Sequence, residues 1–216
     1  MHRAAGIAPA ATGFSTFLEA YGISIMSHSD IARFQAQMAS GLSRVHGGVE
    51  TRTEWSTMGD QVDSYSPRLD IAVGPFAVGS LRYRDRFDEL LERHGGFLRR
   101  AYDFSNANFD EYGEGTKKFA FADVTRRNWN SRCFLAIEIE NKVTRKHLMG
   151  GAVNAAALGR VGIAVGWTSD KVRALVKLRT YLLYLGRVGK NTFEPINLLV
   201  LSPLQVRSAV RISAAS

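Results

Sequence analysis

Residues 134–146 read FLAIEIENKVTRK, an apolar run that turns acidic and then basic within a few positions. The spacing predicts a strand over residues 133–142. Side chains two apart on a strand share a face, so Glu138, Glu140 and Lys142 line up on one side, about 6.5–7 Å apart at the backbone. Neighbouring apolar residues make that face half-buried, where two acids and a lysine in a row need a common object to act on. A third acid stands upstream in SPRLDIAV, residues 66–73, where Asp70 interrupts an otherwise apolar strand directly after a proline turn. Hairpin-like pairing of the two strands would set Asp70 beside Glu140.

Two carboxylates make a hard oxygen site suited to Mg2+, which keeps several waters and shares its remaining positions with a substrate phosphate. A lysine beside that ion can orient or help deprotonate an attacking water, or stabilise charge on the phosphorus. The set is chemically complete for phosphodiester hydrolysis. The plain alternative is a solvated strand face with a surface ion pair, which contributes little.

PRLD, followed 70 residues after Asp70 by EIENK, resembles the PD-(D/E)xK motif of the restriction-endonuclease-like nuclease superfamily. Pro67 stands three residues before Asp70 rather than directly before it, whereas Glu140-Asn141-Lys142 matches the second half of the motif without departure. The order of elements is also similar: a helix rich in small residues after the lysine, then another apolar strand. The likeness spans about residues 28–203 in topology and three residues in motif. It implies an α/β restriction-endonuclease-like core, a mixed central sheet flanked by helices. It also implies DNA as substrate and Mg2+ or Mn2+ as cofactor, with products carrying 5′-phosphate and 3′-hydroxyl ends. By the same resemblance Asp70 and Glu140 ligate the metal, the backbone carbonyl of Asn141 completes the coordination, and Lys142 serves the water. Glu138 has no obligatory counterpart; it binds a second metal, holds Lys142, or is a solvated acid, and the last carries most weight. Glu50, at the start of a preceding strand, is a weaker accessory acid.

Along the rest of the chain, FSTFLEAYG reads as a short helix and SDIARFQAQMASGLSRV as a longer one capped by Ser29 or Asp30. VETRTEWSTM and RLDIAVGPF read as strands. Residues 81–130 form an insertion between core strands: charged helical sequence broken near HGG, a turn-rich SNANFDEYGEG, and a basic, aromatic KKFAFADVTRRNWNSR. TRKHLMGGAVNAAALG is a helix, RVGIAVGW a strand, SDKVRALVKLRTYLLYLG a helix capped by Ser169 or Asp170, PINLLVLSP a buried strand and LQVRSAVRI a last helix or a tail. Strand–helix alternation in the second half implies parallel pairs with helices on the sheet faces. One domain over residues 1–216 accommodates all of it.

The net charge of +8 favours a polyanionic partner through phosphate attraction and counterion release. No apolar run approaches the roughly 20 residues of a membrane helix. The N-terminal MHRAAGIAPAATG is too interrupted for a signal peptide, and the single cysteine, Cys133, fits a reducing cytoplasm. One cysteine and five scattered histidines argue against structural zinc. Arg126, Arg127, Trp129 and Arg132 mix base with aromatic, as do surfaces that meet nucleic acid, and Arg145, Lys146 and His147 open a helix where phosphates can dock. Cutting both strands of a duplex asks for two active sites, which a homodimer would supply. The rival readings are a non-catalytic nucleic-acid-binding or assembly module of the same fold, and a nuclease acting on RNA.

Overall fold

The computed structural model describes residues 28–58, 66–78, 83–141, 145–190 and 194–215. Contacts cluster into two units, residues 1–34 and 35–216. Of the first unit, residues 28–34 are described and form the opening turns of α1 (His28–Val45), with Arg33 paired to Asp30 at 3.7 Å. The helix expected over FSTFLEAYG lies outside the described residues.

The second unit is α/β. Strands β1 (Thr51–Ser56), β2 (Arg68–Val73), β3 (Cys133–Glu140), β4 (Gly159–Gly166) and β5 (Leu198–Leu201) form one mixed sheet in the order β1-β2-β3-β4-β5. The β1–β2 and β2–β3 pairs are antiparallel, β3–β4 and β4–β5 parallel. Helices α5 (Arg145–Leu158) and α6 (Ser169–Arg187) make the long returns that parallel pairing requires. Every residue of β4 and β5 is buried, as in parallel strands covered on both faces.

How closely α5 lies on the sheet is set by missing side chains. A Cβ at Gly162 of β4 would stand 2.6 Å from the carbonyl carbon and oxygen of Ala155, and one at Gly159 would stand 2.8 Å from the Ala136 Cβ. Ala136, Ala152, Ala155, Ala156 and Ala164 fill the layer, all buried.

Between β2 and β3 the chain passes through α2 (Arg84–His94), α3 (Gly96–Tyr112) and α4 (Phe121–Arg126). The stretch read as turn-rich proves largely helical: Ser105–Tyr112 continue α3. Its polar residues have a task that local sequence does not show. Ser105 Oγ accepts the Val200 N–H at 3.0 Å, and Asn108 Nδ2 donates to the Val200 carbonyl at 2.8 Å, so α3 satisfies the outer edge of β5. The cap of α6 is Thr168 rather than Ser169 or Asp170, its side chain accepting from the Lys171 N–H at 3.4 Å. α7 (Pro203–Ala214) begins with a Ser202–Gln205 capping box.

Two arginines are inside. Arg160 of β4 donates to the Thr125 carbonyl at 2.7 Å and to Asp88 at 2.6 Å, tying α4 and α2 to the sheet. Arg179 of α6 donates to the Leu198 and Lys117 carbonyls at 3.1 Å each, and burial lowers its pKa to about 10. Among the described residues no helix is long and apolar enough to cross a membrane.

The helix–sheet contact predicts opposite outcomes for two glycines. Gly162→Ala forces a methyl into the Ala155 backbone and is expected to cost about 1–3 kcal/mol in urea denaturation. Gly150→Ala, in α5 with no atom within 4 Å of its Cβ, is expected to gain about 0.5–1 kcal/mol.

Candidate active site

The β2–β3 ladder pairs Val73 with Leu135, Ala72 with Ala136 and Ile71 with Ile137. One step further, the register sets Asp70 across from Glu138, one face-position short of the expected Glu140. The ladder ends there, and the Ile139 N–H donates to Asp70 Oδ2 at 2.6 Å. The other carboxylate oxygen, Oδ1, accepts from Gln35 Nε2 of α1 at 3.1 Å, and the same amide donates to Glu54 Oε1 at 3.2 Å. Both Asp70 oxygens are therefore held by donors, which fixes the carboxylate plane.

Glu54 reaches this point from β1 with φ of 51°, a left-handed conformation that costs a side-chain-bearing residue of order 1 kcal/mol or more. The β1–β2 register runs Thr53 to Ile71 and Trp55 to Leu69, with Glu54 at the step between them. Backbone strain thus coincides with the acid cluster, as it often does at functional sites.

Glu138 occupies the same face under α5. A Cβ on Gly151 would stand 3.5 Å from the Glu138 Cβ, and Asn154, one helical turn on, hydrogen-bonds the Glu138 carboxyl group. Glu138 Oε1 is buried without a hydrogen-bond partner among the described residues. Glu140 ends β3, in register with Gly166, and its carbonyl accepts the Trp167 N–H at 3.1 Å. Asn141 follows, half-buried.

The acids perturb one another. The Asp70 pKa is raised to about 6, chiefly by burial and also by the Glu54 and Glu140 charges, against the Ile139 N–H and Gln35 amide, which pull it down. Burial also raises Glu138, to about 9, reinforced by the Asp70 charge and opposed by Asn154. Glu138 is hence a protonated acid at neutral pH as long as no cation faces it.

Of the residues expected to act, Asp70, Glu140 and Asn141 lie at one end of the β2–β3 pair, and Lys142 lies outside the described residues, as do the side chains of Arg145 and Lys146. Glu138, weighted above as a solvated acid, is half-buried and central to the cluster's electrostatics. Glu50 is exposed and bound to Arg52 at 2.7 Å, and Glu54, four residues on, stands in the cluster instead. Gln35 and Glu54 carry no local sequence signal. For Glu138 a signal existed: Gly151 and Asn154 stand three apart in the following helix, a gap and an amide on one face. Arg126 and Arg127 are engaged by Glu92 at 3.8 Å and Glu194 at 3.4 Å, and Trp129 is exposed. Cys133 is buried, and burial pushes its thiol pKa up, so it is a core residue rather than a nucleophile.

Among the described residues no group of three or more His, Cys, Asp or Glu side chains is arranged to hold a metal ion. Mg2+ asks for less, since one or two carboxylates suffice when water and phosphate supply the rest. The donor set fits that requirement: hard oxygens only, and a buried Glu138 oxygen left without a donor. Comparison of the chain with protein-family models, with curated proteins and with solved structures gives no match.

The raised pKa values set a pH dependence. The folded state binds protons more tightly than the unfolded chain, between about 4 and 6 at Asp70 and between 4.5 and about 9 at Glu138. Stability from these groups is complete below those ranges and is lost as pH rises through them. The melting temperature of the chain in a chelator is expected to fall from pH 5 to pH 9. Glu138→Gln, which is neutral throughout, should flatten that fall, and an unchanged slope in this variant would remove Glu138 as its source.

Proposed function

We propose that this protein is a metal-dependent phosphodiesterase of restriction-endonuclease-like type that cleaves DNA. The observation that carries the reading is the Ile139 N–H bond to Asp70, which fastens an acid of β2 to the strand bearing Glu138 and Glu140. The sheet order, with an antiparallel pair carrying the acids and parallel strands following through α5 and α6, agrees with the core the motif implies. The +8 charge suits a polyanion, and salt-sensitive association is the expected behaviour.

Asp70 and Glu140 would hold Mg2+ or Mn2+, joined by the Asn141 carbonyl. The ion, when bound, polarises the phosphate and lowers the pKa of a coordinated water. The chain's own contribution is orientation. The Ile139 N–H and the Gln35 amide pin the Asp70 carboxylate so that its remaining lone pairs have one direction. Lys142, two residues after Glu140, would supply a positive charge beside the attacking water or the phosphorus. On the α5 side Asn154 hydrogen-bonds Glu138, whose remaining oxygen lacks a partner among the described residues and would face the ion as a further hard donor once a cation lowers its raised pKa.

The test is cleavage of linear, supercoiled and single-stranded DNA, with RNA alongside, in Mg2+ or Mn2+. Asp70→Ala and Lys142→Ala are expected to bind DNA and to cut it on the order of 10³-fold more slowly, from the several kcal/mol that metal-assisted chemistry supplies. Gln35→Ala, which frees one oxygen of Asp70, is expected to slow cutting less and to weaken metal dependence. DNA binding without cutting under any divalent ion would leave a binding module. Undiminished cutting by both variants would move the active site elsewhere.

A further inference from the structure

A groove of about 620 Å³ opens between the start of β1, the segment after β2, and α2. Asp70, Glu138 and Glu140 do not line it. Its size lies in the range of roughly 300–1,000 Å³ typical of small-ligand sites. From its side chains we propose that the groove binds a nucleoside phosphate, either a free nucleotide or one unit of a nucleic-acid strand. The proposal stands independently of the nuclease reading.

Three guanidinium groups face the groove, Arg52, Arg86 and Arg93, against two carboxylates, Glu50 and Glu89. Glu50 is paired with Arg52 at 2.7 Å and Glu89 with Arg93 at 2.8 Å. Both pairs are solvent-exposed, and such pairs hold weakly enough for a phosphate to displace the carboxylate. Arg86 has no carboxylate partner among the described residues. A planar guanidinium fork without a counter-ion fits two phosphate oxygens.

The same arginines lie on aromatic rings. Arg52 stands 4.7 Å over Phe76 and Arg86 5.3 Å over Tyr83. Flat guanidinium–aromatic pairs offer a nucleobase a stacking face whichever base arrives. At the floor, His46 is buried, with its ring edge-on to Phe97 and Phe134. Its Nδ1–H donates to the Leu42 carbonyl at 2.8 Å, which makes Nε2 an acceptor, and that atom is buried with no partner among the described residues. His94 stands beside Gly47, where an added Cβ would lie 2.8 Å from His94 Nε2. Burial keeps His46 neutral, with a pKa of about 4, so the floor of the groove adds no positive charge to that of the arginines. Phosphate for the guanidinium without a carboxylate partner and a flat ring for the stacked faces are the two features that a nucleotide joins in one molecule. Inorganic phosphate offers only the first.

The experiment is fluorescence anisotropy on the full chain in a chelator, so that cutting plays no part. A labelled pentadeoxynucleotide is the probe, with adenosine monophosphate and inorganic phosphate as competitors. The expected result is displacement by adenosine monophosphate at concentrations where phosphate displaces little. Arg86→Ala, an exposed change checked for folding by circular dichroism, should weaken binding of both nucleotide ligands about tenfold. It should also lower the slope of log affinity against log salt by about one, and Arg86→Lys should restore the slope but not the full affinity. Equal affinity for mononucleotide and pentanucleotide identifies the free nucleotide as ligand; tenfold tighter pentanucleotide binding identifies a strand. The proposal is overturned if phosphate competes as well as the mononucleotide, or if Arg86→Ala and Arg93→Ala both bind like the parent chain.

Discussion

The close seating of α5 on β3 and β4 is the constraint from which the rest of the fold and the acid cluster follow. Where Gly162 meets the Ala155 carbonyl, helix backbone and strand backbone touch with no side chain between them. Packing at that distance removes water from the whole layer. On the neighbouring strand β3 it brings α5 down over Glu138, where the small Gly151 leaves room and Asn154 supplies one hydrogen bond. A bulkier helix would stand off from the sheet and leave Glu138 in solvent with an ordinary carboxylate pKa.

The acids then compete for too little solvent. Asp70 is stabilised by a strand N–H and a glutamine amide, so it keeps a pKa near 6, whereas Glu138, with a single amide, rises to about 9. Burial raises both carboxyl groups; the Asp70 charge raises Glu138 further, and the two donors on Asp70 hold it lower. That is how a single fold gives one acid to hold as a carboxylate and a second to keep as an acid. The left-handed backbone at Glu54 belongs to the same economy of space, since it turns a third carboxylate toward the Gln35 amide.

The positive charge of the chain is divided between two uses. Arg160 and Arg179 are interior staples, each satisfying backbone carbonyls from segments far apart in sequence, and neither is available to a ligand. Arg52, Arg86 and Arg93 are surface groups on the groove, held on aromatic rings or by exposed acids. A net charge counts both alike; only burial separates the charge that builds the fold from the charge that can meet a phosphate.

The sequence by itself determined the elements and the order of acids. Apolar runs broken by acids marked β2 and β3, small residues marked α5, and the spacing of Glu138 and Glu140 put them on one strand face, because backbone periodicity is a local property. It misread Ser105–Tyr112, since Ser and Asn favour turns until a sheet edge needs their side chains. The tertiary structure alone decided that Asp70 stands across from Glu138, that Gln35 and Glu54 join them, and that Glu138 is covered rather than solvated. Those facts depend on strand register and on the depth of helix packing, which join residues 35 and 69 positions apart that no local pattern relates.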